Sequence, residues 1–124
     1  MLLKFPINKI VIVGTRYDED VEGLAAELSE GASARGLGIR VETTSHLNEL
    51  KKTLDVPRKS SVRPDTLVLL GRHVRYQREG LCGTRTLGVV ERSKIANGLR
   101  RETRVLVTGF ERDKATGRYT LDNI

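Results

Sequence analysis

Three glycine-marked points in this chain can carry ligand chemistry: Gly14-Thr15-Arg16, Gly71-Arg72-His73 and Gly83-Thr84. Backbone N–H groups at a glycine turn or a helix start can hold a phosphate or a ribose hydroxyl. Arg16, Arg72 and Arg85 supply guanidinium forks that pair bidentately with phosphate. His73 is a candidate general acid or base, because an unperturbed histidine titrates near pH ~6.5. Glu91 is a candidate carboxylate nucleophile or base, and Asp65 can reach a sugar hydroxyl. Each has a structural reading beside the chemical one. The glycines end strands, the arginines are solvated, the histidine lacks a visible partner, Glu91 pairs with a surface arginine, and Asp65 belongs to a turn. Cys82 is the single cysteine, so no internal disulfide forms. Cys82, His46 and His73 together do not make a recognisable metal site, and no metal or cofactor is expected.

The elements that must position these groups read as alternating strands and helices. Ile10-Val11-Ile12-Val13 is a four-residue aliphatic run, three of its members β-branched, and predicts a strand buried on both faces. Gly14 breaks it, and a helix follows from about Asp20 to Ser33, with Val21, Leu24, Ala25 and Leu28 on one face. Asp18, Glu19 and Asp20 at its start suit the helix dipole and disfavour a pyrophosphate there. Gly31, Gly36 and Gly38 end this helix. A second strand spans Leu37 to Thr43, and a short helix capped by Thr44 or Ser45 carries Leu47, Leu50 and Leu54. Thr66–Leu70 is a third, buried strand ending at Gly71.

Residues 72–83 form a long insertion with room for an edge strand over Val74 and Tyr76. A helix is expected from Thr84 to about Arg100, with Leu87, Val90, Ile95 and Leu99 facing inward. A fourth strand covers Arg104–Phe110. The close is a hairpin turning at Thr116-Gly117, with Tyr119 and Leu121 on an antiparallel edge strand. This alternation predicts a single α/β domain over residues 1–124: three layers, Rossmann-like, a mostly parallel sheet of four core strands and an antiparallel C-terminal edge. In such sheets ligands collect outside the carboxyl ends of the strands, so Gly14, Gly71 and Gly83 should share one rim.

Charge is unevenly spread along the 124 residues. Residues 1–50 carry 5 Lys/Arg against 8 Asp/Glu, residues 51–104 carry 14 against 5, and the last twenty carry 3 against 3. A basic middle section implies a positive face that attracts polyanions. This supports an alternative reading, a non-catalytic nucleic-acid-binding protein. Its contacts come from Lys51, Lys52, Arg58, Lys59, Arg63, Arg72, Arg75 and Arg78, with Lys59, Arg63, Arg75 and Arg78 as the group to neutralise. The absence of Trp and the few other aromatics leave little material for base stacking. No apolar stretch is long enough to span a membrane and no signal-peptide pattern stands at Met1–Pro6, so a cytoplasmic protein without membrane partners is expected. A third reading is a structural interaction subunit, and a homo-oligomer is expected.

The strand ending in Gly14-Thr15-Arg16-Tyr17-Asp18 resembles the first strand of the nucleotide-binding SLOG superfamily. The order Pro64-Asp65-Thr66-Leu67-Val68-Leu69-Leu70, then Gly83-Thr84, Glu91, Ala96 and Val105-Leu106-Val107, is similar to the second half of SLOG domains and of nucleoside 2-deoxyribosyltransferases. The resemblance spans residues 10–108 through short motifs. It implies a Rossmann-like domain holding a nucleoside, nucleotide or ADP-ribose-type molecule. In the transferases a glutamate on this helix attacks the anomeric carbon; Leu87 holds its expected place here, and Glu91 is the carboxylate left for the role. The resemblance thus implies a small nucleotide- or nucleoside-binding domain acting on a glycosidic bond. Asp65 and Thr84 would orient the sugar, and Arg16 and Arg72 would hold charged substituents.

Overall fold

Strand β1 (Lys9–Val13) lies inside the sheet, as its aliphatic run requires. Val11, Ile12 and Val13 are completely buried. A computed structural model of the chain describes residues 7–15, 21–46, 49–50, 54, 65–78, 81–113 and 115–122, with the side chains of 76–78 and 81–82 outside that description. After β1 come α1 (Val21–Ala34), β2 (Arg40–Thr44), β3 (Thr66–Leu70), β4 (His73–Arg78), β5 (Leu81–Thr86), α2 (Val89–Glu102), β6 (Leu106–Arg112) and β7 (Tyr119–Asp122). The main sheet has five strands in the order β2-β1-β3-β6-β7. Its first four are parallel and β7 runs antiparallel to β6 at the edge. The chain is therefore an α/β protein with a mostly parallel sheet, and the antiparallel final strand stands where the Thr116-Gly117 turn predicts it. Among the described residues, no helix is long and apolar enough to cross a membrane.

Strand alternation sends one set of side chains to each face of the sheet. Ile10, Ile12, Leu67, Leu69 and Phe110 pack with Val21 and Leu24 of α1. Val11, Val13, Val68, Leu70, Val105 and Val107 pack with Ala96 and Leu99 of α2, and with Leu50 and Leu54. Leu50 and Leu54 share this cluster as their spacing predicts; Leu47 lies outside the described residues.

Two helix boundaries correct the sequence reading. Gly31 lies inside α1, and Gly36, at φ +68°, is the residue that ends it. The N–H of Leu37 reaches the Ala32 carbonyl at 2.9 Å and that of Gly36 reaches Ser33 at 3.0 Å. This paired closure satisfies carbonyls that the helix leaves open, and only glycine takes the left-handed turn without strain. The second correction concerns residues 84–86. The helix expected from Thr84 begins instead at Val89. Gly83 and Thr84 lie within β5, opposite Tyr76 and Arg75.

β4 and β5 form a separate two-stranded antiparallel sheet, paired residue for residue from His73↔Thr86 to Arg78↔Leu81. β-Branched Thr84 and Thr86 suit a ladder, and Gly83 weakens a helix. Val74 and Leu87 at the hairpin base are fully buried in the α2-side core, which anchors the insertion. The edge strand expected over Val74 and Tyr76 is the β4 half of this hairpin.

The final turn shows how a local acid sets a boundary. The Asp113 carboxylate accepts from the Ala115 N–H at 2.9 Å, and the Gly117 N–H donates to the Asp113 carbonyl at 2.7 Å. The Ala115 N–H, then the Thr116 side chain, hold the Asp113 carboxyl below the usual aspartate value. A depressed acid stabilises fully above its unfolded pKa, and the contribution disappears as pH falls through the lower folded one. Asp113→Ala should therefore lower the melting temperature slightly at neutral pH. In melts across an acid pH series the gap from wild type should close below the native Asp113 pKa; a constant gap would refute this role.

Candidate functional site

Connections leave β1 and β3 in opposite directions. β1 leads through α1 to β2 on one side, and β3 leads through the hairpin and α2 to β6 on the other. Ligands of open α/β sheets gather where the direction reverses, outside the carboxyl ends. Gly14 and Gly71 stand at that place. The Gly71 N–H donates to the Val13 carbonyl at 2.7 Å and the Gly14 N–H to the Thr44 carbonyl at 3.0 Å. Both glycines thus continue the ladder one step past the strands.

A cleft of about 730 Å³ opens beside them, lined by Gly14, Thr15, Val21, Glu22, Thr43, Thr44, Ser45, Glu49 and Arg75. It lies over the ends of β1 and β2, at the start of α1. The hairpin supplies its far wall: the Arg75 N–H donates to the Ser45 carbonyl at 2.7 Å, and His46 and Arg75 form a single parallel bridge. Arg75 is exposed and makes no ion pair among the described residues. His46 is tied to its neighbours, with Nδ1 3.2 Å from Ser45 Oγ. Residues bearing four hydroxyls, two carboxylates and one guanidinium therefore line one volume. Hydroxyls donate and accept, carboxylates accept only, and a guanidinium donates only. Such a set matches a polyhydroxylated molecule with one anionic or carbonyl-rich end.

The expected site residues divide between several places. Gly14 and Thr15 line the cleft, and Thr15 is buried. Arg16, Lys51, Lys52, Arg58, Lys59 and Arg63 lie outside the described residues. The side chains of Arg78 and Cys82 do too, although Arg78 pairs with Leu81 through the backbone. Gly71 is buried beside Val13 and is not among the cleft-lining residues. Arg72 is exposed, with its Nε 3.6 Å from Glu111 Oε1. His73 opens β4 opposite Thr86 and is half-buried. Gly83 and Thr84 sit in a strand, so they offer no helix-terminal N–H groups.

Asp65 is at the other end of the sheet. Its carbonyl accepts from the N–H groups of Asn8 and Lys9, before β1 and β3 begin. It therefore cannot share a sugar with Gly14. Glu91 is half-buried in the first turn of α2; its Oε2 would lie 2.7 Å from a Cβ placed on Gly88. That is the third helical position, where a carboxylate suits the positive helix end.

Sequence reasoning missed Glu22, Thr43, Thr44, Ser45 and Glu49 in the cleft, and it placed Arg75 on a nucleic-acid face. The parallel pairing of β2 with β1 is what delivers Thr43 and Thr44 beside Gly14. It also missed Arg92, which is 1% exposed in the interior. Arg92 Nη2 lies 2.6 Å from Asp122 Oδ2 and 3.3 Å from Glu111 Oε1. Its Nε and Nη1 have no hydrogen bond among the described residues. The guanidinium fills the space over Gly109, where a Cβ would lie 2.7 Å from Nη1.

Comparison of the chain with protein-family models, with curated proteins and with solved structures found no match. The functional reading therefore rests on the chain's own geometry.

Proposed function

We propose that this chain is a small Rossmann-like domain that binds a nucleoside- or nucleotide-type molecule in the cleft beside Gly14. The observation that carries the reading is the meeting of Thr15, Thr43, Thr44, Ser45, Glu22, Glu49 and Arg75 around one volume. Ribose hydroxyls would donate to the two carboxylates and exchange hydrogen bonds with the threonines and Ser45. Arg75 would take the charged or carbonyl-bearing end. The strand order and the reversal between β1 and β3 support the same location.

The proposed role is binding rather than glycosidic cleavage. No residue of α2 lines the cleft, so Glu91 is not among the groups that face the ligand, and Asp65 stands at the other end of the strands. A panel of nucleosides, mononucleotides and ADP-ribose, titrated by calorimetry and by thermal shift, tests the reading. At least one should raise the melting temperature saturably, because a ligand at ~100 times its Kd adds about 2.7 kcal/mol. Arg75→Ala should weaken that ligand about tenfold or more, as expected for one charge-assisted hydrogen bond of roughly 1.5–3 kcal/mol. Silence across the panel, or full affinity in the Arg75 variant, would overturn the site. Release of free base by the wild type that stops in Glu91→Gln would overturn the restriction to binding.

A further inference from the structure

We infer that the outer edge of β2 pairs antiparallel with the same edge of a second copy of this chain, about a two-fold axis through Val41. β2 is the terminal strand of its sheet, and among the described residues β1 is its one ladder partner. A strand residue turns its N–H and C=O groups to one edge, and successive residues alternate. The Arg40 N–H donates to the Asn8 carbonyl at 2.9 Å, and the Thr44 carbonyl accepts from the Gly14 N–H at 3.0 Å. Arg40, Glu42 and Thr44 therefore direct their backbone groups to β1. Val41 and Thr43 turn theirs outward, where no described residue bonds them. An open row of donors and acceptors of this kind is a template for another strand.

The edge is complementary to itself, as a two-fold contact requires. With Val41 on the axis, Val41 meets Val41 of the second copy and the two exchange both N–H···O=C bonds. Thr43 falls opposite Ile39, the residue that enters the strand. The seam spans residues 39–43 of each copy and stops short of Ser45, whose carbonyl already accepts from the Arg75 N–H. Ile39 and Val41 are half-buried and pack on the α1 face, so the seam continues that apolar layer from one copy into the next.

On the other face the charges decide the register. Arg40 falls opposite Glu42 of the second copy, once on each side of the axis. Opposite charges directly across an antiparallel pair stabilise it, and like charges destabilise it. Arg40 is exposed and makes no ion pair among the described residues. Glu42 has Oε2 3.4 Å from Lys9 Nζ, and its side chain is still 42% exposed. Centring the seam on Glu42 instead would set two carboxylates face to face. A short seam makes a small contact, below the ~1,200 Å² of stable complexes, so the dimer is weak and reversible.

Amide hydrogen exchange by NMR, run beside sedimentation equilibrium from ~10 µM to ~1 mM, tests this in the range of a weak contact. The Val41 and Thr43 amides should exchange several-fold more slowly as dimer forms. Those of Arg40, Glu42 and Thr44, held by β1, should be slow at every concentration. Arg40→Glu should raise the dimer dissociation constant about tenfold, because both charge pairs become repulsive. Arg40→Glu with Glu42→Arg restores both pairs in reversed sense and should recover the dimer. At the lowest concentration Arg40→Glu should melt with wild type, since Arg40 is exposed. The proposal is overturned by a monomer throughout, by a dimer in which the Val41 and Thr43 amides keep their dilute rates, or by full association of Arg40→Glu. A double variant no tighter than Arg40→Glu would equally overturn it.

Discussion

Arg92→Ala should destabilise the protein by about 3–5 kcal/mol, the range for removing one partner of a buried ion pair. A domain of this size has roughly 5–15 kcal/mol in total, so this is a large share of it. Two losses combine. The interior loses the stem of a side chain that is 1% exposed, and the carboxylates of Asp122 and Glu111 lose the cation between them. Urea denaturation of wild type and variant measures the difference. The arrangement also predicts a partial rescue. Arg92 has two donors without hydrogen bonds among the described residues, so the cluster carries a desolvation penalty of its own. Replacing the charge together with its closest partner, as Arg92→Met with Asp122→Asn, should recover most of the loss, because no unpaired full charge then remains opposite Asp122. A double variant as unstable as Arg92→Ala would show that neither the lost stem nor the orphaned Asp122 charge accounts for the destabilisation.

Gly109 is the second sensitive position, for a steric reason. A Cβ there would lie 2.7 Å from Arg92 Nη1, 2.9 Å from Asp122 Oδ2 and 3.2 Å from Arg92 Cζ. An exposed arginine would swing away at little cost. This one is held between two carboxylates and the sheet, so the added methyl must displace the ion pair. Gly109→Ala should cost about 1–3 kcal/mol, the usual price of overpacking, and Gly109→Val more. The cost should fall in an Arg92→Ala background, where the guanidinium is gone and Asp122 Oδ2 is left with room to move aside. A double-mutant cycle would then show a coupling of about 0.5–3 kcal/mol. Additive losses would mean that Gly109 is needed for some reason other than room for the guanidinium.

The same two residues explain where the sequence was legible and where it was not. β1, β3 and α1 are readable because their burial is encoded in uninterrupted aliphatic runs or a regular apolar face. The antiparallel final strand follows from a turn that needs Gly117 at φ +70°. α2 misleads because its inward stripe is Arg92, Ala96 and Leu99: a cation, a methyl and one leucine. Its real apolar-looking start, Val89 and Val90, is 62% and 63% exposed. Hydrophobic periodicity is blind to a buried arginine, so it shifted the helix start towards Thr84. The site was legible to the extent that it depends on strand ends. Gly14 and Thr15 are where the first strand stops. The residues beside them depend on strand order and on the fold of an inserted hairpin, which join positions far apart in the chain. No local pattern carries that information.

The place of β1 in the sheet has a consequence for how the chain comes to be folded. It precedes the other described strands, yet both of its neighbours come later: β2 only after α1, and β3 only after everything up to Thr66. Until Leu70 has been added, Ile10–Val13 cannot have its native partners on both edges. Non-local parallel pairing is slow to form, and unpaired apolar strands invite association with other chains.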